Sequence, residues 1–423
     1  MLIKSFGESN IKAEPQKKRI LIVCQHFWPE SFRVNDLADF LHEKNWEVDV
    51  LCGLPNYPTG KIYDGYSIFN RTQTHKGINI RRALEIPRGN NTSIRIFLNY
   101  ISFPFFSLFE IPRLLTRHYD KILIYQLSPV MMALPAIIIA KIKKIETTIY
   151  VLDLWPENLF SVLNIRNRLA RKIITSHSHW YYRRVNKLVA LSDRMKQQLT
   201  SVTRGIDNKI VILPQPSEKL YENEIKDTSL SKRFQDTFNI TYAGNISPAQ
   251  SPETIVEAAR ILYYEERLTN IRWIIVGDGM SKEHMIDLVK KANLGQCFVF
   301  EGQKPVEDIP KYTSVTDVFI GSLVKSDLLE ATIPAKVMSY IASGKPIVLA
   351  MDGEVQELIN SRIKCGLAGP TDDAKQMSQN IKTIYLLPKK ERDAMGKRAK
   401  DYHYKHLERN LVLNKLYSFI TTD

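Results

Sequence analysis

Thr237-Phe-Asn-Ile-Thr-Tyr242 restarts, midway along the chain, the pattern that Arg19-Ile-Leu-Ile-Val-Cys24 opens. The run from Arg19 is continuously apolar, as expected of a parallel strand covered on both faces, and Thr237 to Tyr242 reads as the strand that opens the second half. Working outward from Arg19, a loop (Gln25 to Ser31) leads to a helical pattern from Phe32 to Lys44, with Leu37, Phe40 and Leu41 on one side. Further strands are predicted at Glu47 to Leu51, Ile78 to Arg82, Lys121 to Tyr125, Thr147 to Leu152, Lys187 to Leu191 and Lys209 to Leu213. Beyond Thr237 follow a helix (Pro252 to Tyr264), strands at Ile271 to Val276, Cys297 to Phe300, Val318 to Ile320 and Pro346 to Ala350, and a helix from Ala335 to Ser343. Strands alternating with helices twice over predict an α/β chain of two doubly wound, Rossmann-like domains facing across a cleft.

The punctuation sets the boundaries. Met1 to Lys18 is polar and aperiodic and reads as a loose tail, without the apolar core of a secretory signal. Pro214-Gln-Pro216 closes the first pattern, and a polar stretch to about Lys232 reads as linker. The expected division is therefore a tail (1–18), a first domain (19–216) and a second domain (217–404). The last helical stretch, Lys389 to Ile420, is long enough for residues 405–423 to return to the first domain.

Composition bounds the partners. Over 423 residues, 59 Lys and Arg against 45 Asp and Glu leave a formal charge of +14, which favours phosphates, nucleic acid or an acidic membrane surface. No nucleic-acid module accompanies that charge. Cys24, Cys52, Cys297 and Cys365 lie in or beside apolar runs without metal-ligand spacing, as buried thiols in a reducing cytoplasm would. Two apolar stretches, 96–111 and 130–140, fall short of a spanning helix; the first is broken by Asn99, Pro104 and Glu110. Arg95, Arg113, Arg117, Lys141, Lys143 and Lys144 flank them, and Arg166, Arg168, Arg171 and Lys172 precede Trp180, Tyr181, Tyr182, Arg183 and Arg184. Cations beside aromatic, apolar segments suit the anionic inner face of a membrane, so a cytoplasmic, peripheral protein is expected. A solvated helix face over a core is the plainer alternative.

Ligands of open α/β sheets bind at the carboxyl ends of strands, so the loops there carry the candidates. Gly244-Asn-Ile-Ser-Pro-Ala-Gln250-Ser-Pro-Glu253 joins a strand to a helix, with Ser251 placed to cap it and Pro252 at its first position. Free N–H groups there suit a phosphate; a plain strand-to-helix turn is the other reading. Gly277-Asp-Gly279 allows a sharp turn and close approach to a ligand. In Ile333-Pro-Ala-Lys336-Val-Met-Ser-Tyr340, Lys336 falls in the first turn of a helix, where a cation opposes the helix dipole unless an anion compensates it. In the first half, Asp153-Leu-Trp-Pro-Glu157, Leu54-Pro-Asn-Tyr-Pro-Thr-Gly60 and Gln25-His-Phe-Trp-Pro-Glu30, with Arg33 just beyond, all follow strands. Carboxylates and an indole there suit sugar hydroxyls and ring faces, although Trp155 could equally pack beneath its loop.

Some chemistry is not visible. No Asp-x-Asp pair offers a divalent ion to a diphosphate, and no Gly-x-Gly-x-x-Gly, Walker loop, Gly-x-Ser-x-Gly or His-Glu-x-x-His is present.

The phrases PNYPTGKIYDGY, YVLDLWPENL, YAGNISPAQSPETIVEAA, IVGDGM and IPAKVMSYIASGKPI together resemble the retaining GT-B glycosyltransferases of family four, across nearly the whole chain. Within that family the chain is similar to bacterial L-fucosamine (FucNAc) transferases of O-antigen and capsule synthesis. The resemblance implies a UDP-sugar donor on the second domain, with no metal cofactor. It implies an undecaprenyl-diphosphate-linked saccharide acceptor on the first. Carried over, Gly244, Asn245, Ile246, Gln250, Gly277, Gly279, Leu323, Ile333, Pro334 and Lys336 would hold the donor. His26, Arg33, Asn56, Tyr57 and Trp155 would line the acceptor, and Asp153, Glu157 and Lys336 would be catalytic. The chain departs from the pattern where the usual Glu-x7-Glu pair falls on Ala331 and Ser339. The usual phosphate-loop Arg and Lys fall on Asn245 and Gln250. Two other readings stay open: a UDP-sugar epimerase-like enzyme on the same fold, and a catalytically silent subunit of a polysaccharide assembly complex.

Overall fold

The computed structural model describes residues 17–90, 92–156, 159–160, 165, 167–217, 219–221, 225–326, 330 and 333–422. Glu157 and Ala331 lie outside them.

The first sheet has eight strands: β1 (Arg19–Val23), β2 (Glu47–Cys52), β3 (Thr72–His75), β4 (Ile78–Arg82), β5 (Lys121–Gln126), β6 (Thr147–Val151), β7 (Lys187–Ala190) and β8 (Ile210–Ile212). Their order is β3-β4-β2-β1-β5-β6-β7-β8. The ladders β4-β2-β1-β5-β6 are parallel, whereas β3 pairs antiparallel with β4. Ile20, Leu21, Ile22 and Val23 have no exposed surface, as a strand covered on both faces requires. The second sheet has six strands: β9 (Phe238–Ala243), β10 (Ile271–Val276), β11 (Phe298–Gly302), β12 (Val318–Ser322), β13 (Ile347–Ala350) and β14 (Gly366–Gly369). They run parallel in the order β11-β10-β9-β12-β13-β14. One cluster around Ile240, Trp273 and Ile275 and another around Ile274, Phe319 and Ile341 cover its two faces.

Strand order reverses between β1 and β5 in the first sheet and between β9 and β12 in the second. A crevice opens at such a switch point because the connections on either side leave in opposite directions.

Most predicted strands stand within a residue or two of their expected bounds; β3 and β14 were not foreseen. The helix expected over Pro252 to Tyr264 is α-helical over Pro252–Arg260 and π-helical over Ile261–Glu265. The long C-terminal helix is interrupted: Lys389–Tyr402, a π-turn at His403–Leu407, then Arg409–Thr421. Part of the expected linker is a helix, Thr228–Phe234, which Asp227 caps by accepting from the Leu230 N–H at 2.9 Å. By compactness the chain divides after Leu188, with Ile420 onward rejoining the first unit. By hydrogen bonding, however, β7 and β8 belong to the first sheet, and Leu213 N still donates to Ala190 O. All four cysteines are buried and unpaired.

The segment from Ile94 to Leu115 is a continuous helical run with the length and mean hydropathy (1.3) of a spanning helix, which the broken sequence pattern did not suggest. Its polar breaks explain its place. Asn99, Ser102, Ser107 and Glu110 are buried against the protein, while Ile94, Leu98, Ile101, Phe105 and Phe109 are exposed.

Candidate functional site

The loop after β9 is shaped by its neighbour. Gly244 N donates to Val276 O and Ile246 N to Asp278 O, both at 2.9 Å, so the turn after β9 lies flat against the turn after β10. A Cβ on Gly277 would stand 1.9 Å from Gly244 O, and one on Gly279 would stand 2.3 Å from Ile246 O. The close approach read from these glycines is therefore made to another loop of the protein. Ile246 is likewise structural, its side chain in the core and its amide engaged. Ser251 stands at the helix N-cap position with φ 43° but accepts no capping bond; its hydroxyl instead meets Thr254 Oγ1 and Asp372 Oδ1, each at 2.8 Å. Pro252 occupies the first helical position, as predicted. The N–H groups of Asn245 and Ser247 have no partner among the described residues.

Across the switch point, Val324 N donates to Ala249 O at 3.1 Å, tying the loop after β12 to the loop after β9. The Ala335–Ser343 helix follows, with Pro334 at its N-cap position and Gly344 ending it at φ 71°. From its first turn Lys336 reaches back to this junction. Its Nζ donates to Tyr242 Oη at 2.7 Å and to Gln250 Oε1 at 2.5 Å, and stands 4.2 Å from the centre of the Tyr242 ring. The same ammonium would lie 3.4 Å from a Cβ on Gly244, so the glycine leaves room for it. Tyr242 in turn donates to Asn245 O at 2.6 Å. Both bonding partners of Lys336 are neutral, and it makes no ion pair among the described residues. Desolvation without a counter-charge pushes its pKa down to about 7. Burial, and then the neighbouring Tyr340 hydroxyl, hold Tyr242 well above the ordinary tyrosine range, so it stays neutral. Leu323 is packed in the core and Ile333 lies against it. Of the donor residues read from sequence, Gly244, Asn245, Gln250, Pro334 and Lys336 come together; Ile246, Gly277, Gly279 and Leu323 shape the loops beneath them. Tyr242 was missed, although it sits at the end of a predicted strand.

In the first domain the loops after β1, β2 and β4 share one buried polar network. His26 Nδ1 meets Glu30 Oε2 at 2.9 Å. Glu30 Oε1 accepts the Asn56 and Tyr57 amides at 2.8 and 2.7 Å. Asn56 Nδ2 donates to Leu54 O at 2.9 Å and to Glu85, and Gln25 Nε2 donates to Asn99 Oδ1 at 2.8 Å. Arg88 closes the ring: Nη2 lies 3.3 Å from His26 Nε2, and the guanidinium stands 5.3 Å from the Tyr57 ring centre. Burial first, then the negative Glu30, raises the Glu85 carboxyl well above its usual range. His26, Asn56 and Tyr57 thus come together as expected. Arg33 lies close enough to the buried Tyr125 and Tyr150 hydroxyls to act on both. Trp155 is 2% exposed, donates to Ser128 Oγ at 3.0 Å and packs edge-on against Tyr100, so it is a packing residue and offers no face to a sugar. Asp153 is half-buried, and its carbonyl accepts from Gln126 Nε2 at 2.9 Å. Glu85, Arg88 and Asn99 were missed; the first two follow β4 directly, where the strand-end rule could have found them. No group of three or more His, Cys, Asp or Glu that could hold a metal ion occurs among the described residues.

Residues 216–402 match the family described as Glycosyl transferases group 1. A relative of Escherichia coli (strain K12) named for colanic acid biosynthesis, the glycosyl transferase WcaI, is 20% identical over 94% of this chain and 98% of its own. The amylovoran biosynthesis glycosyltransferase AmsK of Erwinia amylovora is 25% identical, but over only 43% of this chain and 45% of its own length. Among solved structures, Anabaena Alr3699/HepE in complex with UDP superposes with a TM-score of 0.68 at 13% identity, covering 95% of this chain and 98% of that one. The expected fold, a GT-B pair of Rossmann-like domains, is borne out. So is the expected enzyme class, a glycosyltransferase.

Proposed function

We propose that this glycosyltransferase moves a sugar from a UDP-sugar held by its second domain to a lipid-linked saccharide held by its first, in the synthesis of a bacterial surface polysaccharide. The retaining, family-four reading, an N-acetylated deoxyhexosamine such as L-FucNAc as the sugar, and an O-antigen or capsule product belong to the same proposal. The observation that carries it is Lys336: a cation with only neutral partners among the described residues, at the switch point of the second sheet, beside two amides unused among those residues. Such a group needs an anion, and the diphosphate of a nucleotide sugar supplies one. The names of WcaI and AmsK, and the UDP bound by HepE, support it.

In this mechanism the leaving diphosphate gathers charge as the glycosidic bond stretches. Lys336 and the Asn245 and Ser247 amides receive that charge, each preorganised donor being worth about 3 kcal/mol in such a site. No carboxylate cluster for a divalent ion accompanies them among the described residues, and we propose that the diphosphate is held without one. Asp153 orients or deprotonates the acceptor hydroxyl. Glu157 is carried as its companion from the sequence resemblance.

The acceptor side is proposed to work at the inner face of the cytoplasmic membrane. The Ile94–Phe109 face is more apolar than the face the same helix buries, which inverts the arrangement of an ordinary surface helix. Exposed Arg95, Arg113, Lys141, Arg168, Arg171 and Lys172 provide charge for an anionic bilayer. Purified protein, membranes and labelled UDP-N-acetyl sugars test the reading together. Label entering the lipid fraction supports it. Isomerised UDP-sugar without transfer would make the protein an epimerase, and no turnover with intact UDP binding would make it a silent subunit.

A further inference from the structure

Beside the Tyr57 and Arg88 loops the first domain holds a second feature, a hollow of about 670 Å³ lined by Lys61, Ile62, Pro87, Ile94 and Arg95 over two glycines. Its floor is a backbone clasp. Gly60 N donates to Asn56 O at 2.7 Å, and Gly89 N donates to Gly60 O at 2.8 Å. Gly60 has φ 74° and Gly89 φ 58°, and a Cβ on Gly60 would stand 1.9 Å from Gly89 O. Only glycine lets the loops after β2 and β4 meet this closely, and their meeting leaves the concavity open.

Two chemistries meet in it. Lys61 and Arg95 are exposed cations that make no ion pair among the described residues, and no carboxylate lines the hollow. Arg95 passes over Gly89, its Cδ 3.7 Å from where a Cβ would be. Ile94 on the rim is 73% exposed and begins the bare stripe of Leu98, Ile101, Phe105 and Phe109. At helical spacing these five fall on one face and extend about 22 Å from the hollow. A site that is cationic at one end and continues as an apolar track fits an amphiphile with an anionic head.

We infer that this hollow binds the diphosphate of a polyisoprenyl-diphosphate-linked acceptor between Lys61 and Arg95, with the isoprenoid chain leaving over Ile94 along the exposed stripe. The inference rests on the lipid-linked reading of the acceptor and names the site that reading lacks. The diphosphate would anchor the acceptor, leaving its saccharide free to extend toward the Tyr57–Arg88 loops. The stripe accounts for the isoprenoid, because a free phosphate has no use for it.

The full chain, saturated with UDP so that the donor site is filled, is titrated with geranylgeranyl diphosphate, inorganic pyrophosphate and geranylgeraniol. The diphosphate lipid should bind at least tenfold more tightly than either half alone. In K61A/R95A its affinity should fall on the order of 100-fold, two charge-assisted contacts being removed, while UDP binding stays unchanged and reports an intact fold. Equal binding of pyrophosphate and the lipid, or an unaltered double variant, would overturn the site. Steady-state transfer separates the two claims. If wild type labels lipid-linked acceptor and K61A/R95A does so with the same KM, the site is wrong and the acceptor reading stands. If wild type labels only water-soluble saccharide, the acceptor reading itself fails and the site falls with it.

Discussion

Replacing Lys336 with Met should stabilise the free protein and weaken UDP binding, and the size of both effects follows from its surroundings. Its pKa falls from the ordinary 10.5 to about 7, a difference of about 3.5 units or ~5 kcal/mol at ~1.4 kcal/mol per unit. Protein atoms crowd the ammonium, yet the residue keeps some exposure, so solvent screening brings the cost to roughly 2–3 kcal/mol. The group is a base whose folded pKa is depressed. Stability is therefore fully present above pH 10.5, falls as pH drops toward 7 because the unfolded chain binds the proton first, and is level below that. UDP should reverse the shift by placing a diphosphate beside the ammonium. Well below pH 7 the lysine is already charged and affinity is flat; well above it, each unit should cost about tenfold, and because half of it is neutral at pH 7 the loss between pH 7 and 8.5 should be roughly 15-fold. Tyr242 does not interfere, since it stays neutral across that range. Calorimetric titration at pH 8.5, in buffers of different ionisation heat, should show nearly one proton taken up per UDP by wild type and none by K336M. K336M should also unfold at higher urea at pH 7. Equal proton uptake in the two proteins would show that the proton goes to a group other than Lys336.

Three further outcomes are expected. Y242F removes the hydroxyl that holds both Lys336 and the Asn245 carbonyl. UDP affinity should drop about tenfold, one charge-assisted bond, and the pH dependence should move with it; an unchanged profile would separate Tyr242 from the site. G277A places a methyl 1.9 Å from Gly244 O at φ 143° and should lower stability by more than about 2 kcal/mol in urea unfolding, with UDP binding lost before global unfolding. E85Q replaces a buried carboxyl whose folded pKa is raised. The Glu85 contribution to stability should be fully present below about pH 4.5 and be lost as pH rises through the folded value, so E85Q should lack that component of the decline, read as the difference in urea midpoints between the two proteins from pH 5 to 8.

The strands were legible because parallel strands buried on both faces become apolar runs that nothing else of that length resembles. The two missed strands lack that signature for physical reasons. Thr72–His75 pairs antiparallel at the sheet edge and exposes alternate polar residues, and Gly366–Gly369 is a four-residue strand, Gly-Leu-Ala-Gly, with one large apolar side chain. The helix from Ser93 was hard to read because Asn99, Ser102 and Ser107 face inward while Ile94, Leu98, Ile101 and Phe105 face outward, the reverse of the usual pattern. Lys336 was legible because a cation in a first helical turn is out of place. Tyr242 was not, because its contribution is a hydroxyl that returns along its own strand to a loop carbonyl. Glycines 277 and 279 marked a close approach correctly but not its object, since a glycine reports crowding and not the identity of what crowds it.

The structure with UDP bound would locate the diphosphate outright. It should lie at the ends of β9 and β12, within hydrogen-bond reach of Lys336 Nζ and the Asn245 and Ser247 amides. A nucleotide seated elsewhere, with Lys336 still bonded only to Tyr242 and Gln250, would contradict the proposed role of Lys336.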